Sequence, residues 1–577
     1  MKLHVKLSCC ISVWLMLLLM SSCNNSSQVS AQNYQEVKSN FISPADTNTI
    51  WCYWYWINDD ISKEGITKDL EAMKKAGIGG ALIGNINPAH KDGKVPMLSE
   101  EWWSHMVHAV VEGKRIGVDI GVFNCPGWSQ SGGPWVDYTK AMRYLTYSET
   151  KVVGGKKLSL QLEKPKDEFQ DTHTFAFKSA AVEKRSTLYI PTKIHANWSD
   201  VDVSILNDGK KEADTSFEPK KGEILEISFD LAEAITARSI TIIPSQAFKC
   251  NMSLVAVVDG KEQVVKEFHF DRFRITPNVA SIETGDFATD LPGVKAKQFK
   301  LKCSNLQRHR RGGSFGFAEI NISEAPVLDK YIEKQLGKMN STPGIKWDSY
   351  IFGQQDDLED KSLCINPDEV IDLSDKVDEN GHLEWEASKG NWTIMRMGMT
   401  PTGTKNAPAA PQGVGYEIDK MNSELAQYHF DNFIGELLKR IPEESKSAFK
   451  YVVADSYEQG SQNWTDGYEV KFKEKFGYDP VPFLPVLSGR IVGSVELSER
   501  FLWDLRRSVA DDIAYEYVGG LRKASNKHNL KTWLENYGHW GFPGEFMIYG
   551  GQSDLISGEF WNEGTLGNIE CKASSST

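Results

Sequence analysis

The stretch Tyr451-Val452-Val453-Ala454-Asp455-Ser456-Tyr457-Glu458-Gln459-Gly460-Ser461-Gln462-Asn463-Trp464-Thr465 opens as a buried strand and breaks abruptly into acids, amides and aromatic rings. The apolar run before Asp455 belongs in a sheet covered on both faces, as in βα units. Where such a strand stops and presents carboxylates beside Trp and Tyr, the rings can stack on a pyranose face. An apolar wall there also raises the pKa of a carboxylic acid. This is the composition of a sugar site at a strand end.

The design repeats along the chain. Thr532-Trp533-Leu534-Glu535-Asn536-Tyr537-Gly538 reads as a short strand ending in an acid, and Ser557-Gly558-Glu559-Phe560-Trp561 closes another that begins near Leu555. Toward the N-terminus, Ile50 to Trp56, Gly80 to Ile83 and Val118 to Asn124 are three more strands. Between them lie amphipathic helices. Ser62 caps the first, which runs to Ala76 with Leu70 and Met73 on one face and Gly77 ending it; Ser99 opens the second, with Glu100 and Glu101 in its first turn. Helical patterning returns at Ser423 to Arg440, Asp466 to Phe476 and Val495 to Asn526. Alternating strands and helices predict an α/β fold, a (β/α)8-type barrel. About six strands are countable where closure takes eight, so the chain reads as a barrel that is C-terminally incomplete.

After residue 145 the texture changes to alternating strands such as Lys157 to Leu162 and Ser239 to Ile243, with turns at Asn207-Asp208-Gly209 and Asp259-Gly260. That pattern predicts an inserted all-β sandwich of jelly-roll type. The expected organisation is a lipoprotein signal peptide over 1–23, a tether over 24–44 and the first part of the barrel over 45–145. The sandwich follows over 146–330, a β-rich connector over 331–420, and the second part of the barrel over 421–577.

A chain of 577 residues is too long for one core. The net charge of -13 excludes a nucleic-acid surface, which needs clustered cations; the one basic run, Arg308-His309-Arg310-Arg311, is followed by Gly312-Gly313 and reads as a solvated loop. Lys2 and Lys6, the apolar Ile11 to Met20 and the small Ser21-Ser22 form an export signal too short to span a bilayer. Met20-Ser21-Ser22-Cys23 resembles a bacterial lipobox, which implies lipidation of Cys23 and an exported protein held at the outer membrane by its lipid anchor, on the periplasmic or cell-surface face. Beyond Cys9, Cys10 and Cys23, the cysteines at 52, 125, 250, 303, 364 and 571 show no CxxC spacing, so free thiols are expected. Cys250 and Cys303 share one expected domain, where export would permit a bond.

Glycoside hydrolysis needs one protonated carboxylic acid to donate to the leaving oxygen, and one carboxylate to activate water or attack the sugar. Glu458, Glu535 and Glu559 each stand at or just past a strand's C-terminal end, the face where barrel enzymes keep their chemistry. Trp128, Trp135, Trp464, Trp540 and Trp561 are candidate stacking walls, although an isolated Trp is more often core. Gly127-Trp128-Ser129-Gln130-Ser131 places Ser131 where a nucleophile elbow requires Gly, which argues against an esterase. No phosphate-loop, HExxH or EF-hand pattern is present.

Trp54-Tyr55-Trp56 through Gly65 to Met73, Asn124-Cys125-Pro126-Gly127-Trp128-Ser129, Asp455-Ser456-Tyr457-Glu458, Gln462-Asn463-Trp464-Thr465 and Gly558-Glu559-Phe560-Trp561 together resemble the glycoside hydrolase family 106 α-L-rhamnosidases. The resemblance covers roughly residues 45 to 145 and 390 to 577. It implies an inverting, calcium-assisted α-L-rhamnosidase that acts on rhamnose-containing polysaccharides or oligosaccharides. It further implies Glu458 as general acid and Glu559 as general base, roughly 6.5–9.5 Å apart with a water between base and sugar. Asp455 and Glu535 would then bind sugar hydroxyls or calcium, with Asn124, Trp128, Tyr537 and Trp561 completing the substrate-binding set. The metal ligands are not fixed by these motifs. The competing expectations are a glycan-binding lipoprotein without turnover, an inactive truncated fragment, and a retaining glycosidase of other specificity.

Overall fold

The computed structural model describes residues 31–42, 49–198, 202–211, 215–218, 220, 222–272, 279–282, 285–308, 315–339, 353–538 and 541–558. Six strands form one parallel sheet in sequence order: β1 (Ile50–Ile57), β2 (Ile78–Ile86), β3 (Asp119–Phe123), β4 (Phe449–Ala454), β5 (Lys531–Glu535) and β6 (Leu555–Ser557). They are the six strands that the apolar runs predict. Among the described residues they make a curled half-barrel with β1 and β6 at its edges.

The helices follow from local chemistry. Ser62 accepts from the Gly65 amide at the start of Lys63–Lys75, and Ser99 accepts from Trp102 at the start of Glu100–Ile116. Gly117, at φ 82°, ends the second helix in the left-handed region that costs glycine least. On the convex face of the sheet, Trp54, Trp56, Ile83, Ile120, Val122, Val452 and Leu534 pack against helical residues such as Leu70, Met106 and Leu505 in the main core. The concave face carries Leu82, Phe123 and Val453 with Trp51, Tyr451 and Trp533. A Cβ at Gly80 would lie 2.2 Å from the Trp51 ring, so the absent side chain on β2 makes room for the indole of β1.

The all-β region departs from the expected division. Strands between Thr192 and Ser323 form a seven-stranded antiparallel sheet with its own apolar core of Phe217, Phe229, Phe248, Phe299, Phe315 and Phe317. Its hairpin between Phe248–Val258 and Lys261–Asp271 turns at Asp259-Gly260, both with positive φ. A second sheet pairs Arg143–Val153 and Gln170–Lys178 with Asn391–Pro401 and Ile371–Asp372, and Lys156–Gln161 pairs with His382–Ala387. Strand pairing therefore crosses the expected boundary at residue 330, because segments flanking the seven-stranded unit close on each other. Alternation reveals strands but not their partners. The expected tether carries a helix, Ala31–Ile42, whose side chains from Tyr34 onward are exposed. Cys52, Cys125, Cys250, Cys303 and Cys364 are free thiols, and Cys250 and Cys303 lie buried together without a bond.

Candidate active site

The carboxyl edge of the half-barrel is polar at every strand. β1 leads into Asn58-Asp59, β2 ends on Asn85 and Asn87, β3 on Asn124, β4 on Asp455 to Glu458, β5 on Glu535-Asn536 and β6 on Ser557. Backbone bonds carry the ladder into these loops. Asn58 N–H donates to Ile86 O at 2.8 Å, Asn124 N–H to Val453 O at 2.8 Å, Asn536 N–H to Ser557 O at 2.8 Å and Tyr457 N–H to Tyr537 O at 2.9 Å. The loop bearing Glu458 is thus laid beside the loop that follows Glu535.

Strand alternation places Asp455 and Glu535 on the concave face, two residues beyond Val453 and Trp533. Each is 7% exposed. The phenol of Tyr53 on β1 is pushed well above its ordinary range, by burial first and then by the charges of Asp455 and Glu535. Strand alternation from Trp51 puts Tyr53 on the same concave face as both acids. Its ring continues an aromatic row, stacked on Tyr55 at 5.7 Å and edge-on to Phe123 at 5.6 Å. Glu458 is half-buried in its loop, Tyr537 is buried and Trp128 is 38% exposed. Asn124 is fully buried and donates to Gln130 O at 3.0 Å, which makes it part of the floor of the edge. Trp464 and Trp135 are packed inward, against Tyr468 at 4.6 Å and Phe433 at 5.7 Å, and build no wall. Glu559 and Trp561 lie outside the described residues, as do Trp540 and Cys23.

Beneath the edge lies a buried polar floor that sequence reasoning missed. Lys420 donates to Glu417 at 2.6 Å and to Ser131 Oγ at 2.8 Å, Ser131 donates to the same carboxylate, and the ammonium sits 4.9 Å from the centre of the Tyr517 ring. The Lys420 and Glu417 side chains have no exposed surface. Arg143 pairs with Asp419 at 2.8 Å and Asp466 at 2.9 Å, and Asp419 also accepts from Gln462 and Thr465 at 2.7 Å each. His429 accepts from Trp135 Nε1 through Nδ1 at 3.0 Å, so its Nε2 carries the hydrogen that is donated to Asn124 O at 2.8 Å. Burial pushes that ring down to about 3, which keeps it neutral. The one signal in the sequence was Glu417-Ile418-Asp419-Lys420-Met421, where charges interleave with apolar residues.

Asp455 and Glu535 supply hard oxygen donors, but calcium takes about six to eight oxygen ligands. Among the described residues no three His, Cys, Asp or Glu side chains stand close enough to share a metal ion. The described carboxylates alone do not complete a calcium shell.

Comparison with known proteins adds to this geometry. The family profile described as alpha-L-rhamnosidase matches residues 43–577. A protein of Formosa agariphila named putative beta-glucuronidase is 29% identical over 529 residues, which cover 92% of this chain and 33% of that protein. A rhamnosidase structure from Novosphingobium sp. PP1Y aligns at TM-score 0.73 and 24% identity, over 90% of this chain and 49% of that one. The chain spans about a third of the first relative's length and about half of the second's.

Proposed function

Since the chain belongs to the glycoside hydrolase family 106 α-L-rhamnosidases, we propose that it carries the catalytic edge of an inverting glycoside hydrolase that removes α-L-rhamnosyl residues from polysaccharides. The observation that carries the reading is the placement of Asp455 and Glu535 side by side on the concave face at the carboxyl ends of the paired strands β4 and β5, with the Glu458 loop held in register beside them. In this reading Glu458 protonates the leaving oxygen, and Glu559 activates a water on the opposite face of the ring, which inverts the anomeric centre. Asp455, Glu535 and Tyr53 hold sugar hydroxyls, and Trp128, Tyr537 and Trp561 complete the substrate-binding set. The half-barrel is read as the larger part of a (β/α)8 barrel, and the seven-stranded unit as a jelly-roll sandwich that braces it.

Proton NMR of the first product from an aryl α-L-rhamnoside tests this reading. The expected outcome is β-L-rhamnose appearing first. A first product of unchanged configuration would refute inversion, and sugar binding without turnover would favour the non-catalytic reading. The glucuronide named for the Formosa agariphila protein makes aryl β-D-glucuronide the competing substrate. Preferential cleavage of it would replace the rhamnosyl specificity.

Export and lipidation at Cys23 are part of the proposal and rest on the Lys2-to-Cys23 pattern. Among the described residues no helix is long and apolar enough to cross a membrane. Replacing Cys23 with Ala is expected to move the protein from the membrane fraction to the soluble one.

A further inference from the structure

Gln130 is fully buried in the loop that follows β3, and it joins four separate pieces of chain. Its side-chain Nε2 donates to the backbone carbonyl of Asp455 at 2.5 Å and to the Tyr549 hydroxyl at 2.6 Å. Its own carbonyl accepts from the Tyr517 hydroxyl at 2.6 Å and from Asn124 Nδ2 at 3.0 Å. The orientation of the carboxamide is fixed by chemistry, since only the NH2 end can face the Asp455 carbonyl, which has no hydrogen to give.

The partners are themselves held. Tyr549 sits in the short helix Phe546–Gly550, buried. Tyr517 belongs to a π-helical segment, Ile513–Val518, set between the α-helices Val495–Asp512 and Gly519–Asn526. A π-turn inserts an extra residue and rotates the side chains that follow, and such turns concentrate at functional sites. Here it presents a tyrosine hydroxyl to the Gln130 carbonyl. The Asp455 carbonyl that Gln130 holds lies three residues before Glu458, at the point where the strand gives way to the loop.

We propose that Gln130 is a positioning residue for the reaction: by holding the Asp455 carbonyl it sets the direction in which the chain leaves β4, and so the place of the Glu458 carboxyl. This rests on the functional reading above. Gln130→Met keeps the length and bulk of the side chain but removes the donor, and Gln130→Glu puts a carboxylate oxygen against the carbonyl. If Gln130 only fills space, Gln130→Met resembles the wild type, whereas Gln130→Glu adds the cost of a buried acid in either case.

The test measures kcat, KM and hydrogen exchange of the backbone amides of residues 455–461 in wild type and both variants. The expected order of kcat is wild type, then Gln130→Met lower by about tenfold, then Gln130→Glu lower still, with KM within about threefold; exchange quickens in the same order. Tyr517→Phe, which removes one of the two donors to the Gln130 carbonyl and leaves the core filled, is expected to move both readouts the same way by a smaller factor. Wild-type kcat and wild-type exchange in Gln130→Met would overturn the proposal. A wild type that turns over no rhamnoside would break the functional reading, while the exchange measurement still decides whether Gln130 holds the strand end.

Discussion

The floor beneath the half-barrel's carboxyl edge and the core of the seven-stranded sheet are both closed to water, yet they are built from opposite materials. The floor buries Arg143, Asp419, Glu417 and Lys420 with no exposed side-chain surface. The sheet core is a cluster of phenylalanines and aliphatics, and charges such as Lys300, Lys302, Glu226 and Glu262 stand on its outside. Burying an ion pair gains little net stability, because desolvation offsets the Coulomb attraction. Apolar burial stabilises directly, by about 25 cal/mol per Å². The difference teaches that the floor is built to orient the groups above it, whereas the sheet is built to stay folded.

Removing one charge from the floor should hurt most. Lys420→Met leaves Glu417 buried beside Ser131 without its cation, and is expected to lower unfolding stability by about 3–5 kcal/mol in urea titration. Adding Glu417→Leu to that variant should recover much of the loss. A single variant with wild-type stability would break the contrast. In the sheet, Leu301→Ala should cost about 3 kcal/mol through the cavity it leaves, with kcat/KM unchanged. A fall in kcat/KM there would mean that the sheet takes part in the chemistry.

The smallest effect concerns Asp512, just before the π-turn. Burial, opposed by Lys471 and Lys475, pushes its carboxyl up to about 7. A carboxyl with a raised folded pKa binds more protons folded than unfolded, so stability is lost as pH rises from the unfolded value of 3.8 through about 7. Asp512→Asn is expected to remove about 1–2 kcal/mol of that decline between pH 5 and pH 7 in thermal melts across pH. An unchanged slope would place the titration elsewhere.

The half-barrel was legible because its signals are local. Apolar runs named the six strands, and Ser62 and Ser99 announced their helices three residues ahead of the amides they cap. Asp455 and Glu535 were legible for the same reason, since an acid directly after a buried run has to sit at a strand end. The floor was not. Gln130 meets Asp455 across 325 residues, Ser131 meets Glu417 across 286, and no short window contains both members. Trp464 and Trp135 carried the composition of sugar walls, but what a ring faces is decided by tertiary packing. Pairing of Arg143–Val153 with Asn391–Pro401 was hidden for a like reason, because the seven-stranded unit intervenes.

The central claim, that the loop leaving β4 delivers an acid to a rhamnosyl bond, is tested most directly by Glu458→Gln assayed on aryl α-L-rhamnosides of graded leaving group. A general acid contributes about 10²–10⁴-fold where the leaving oxygen needs a proton. The account predicts a loss of that size for poor leaving groups such as methoxyphenol and little loss for dinitrophenol, which departs without help. An equal loss on both substrates, or none on either, would contradict it.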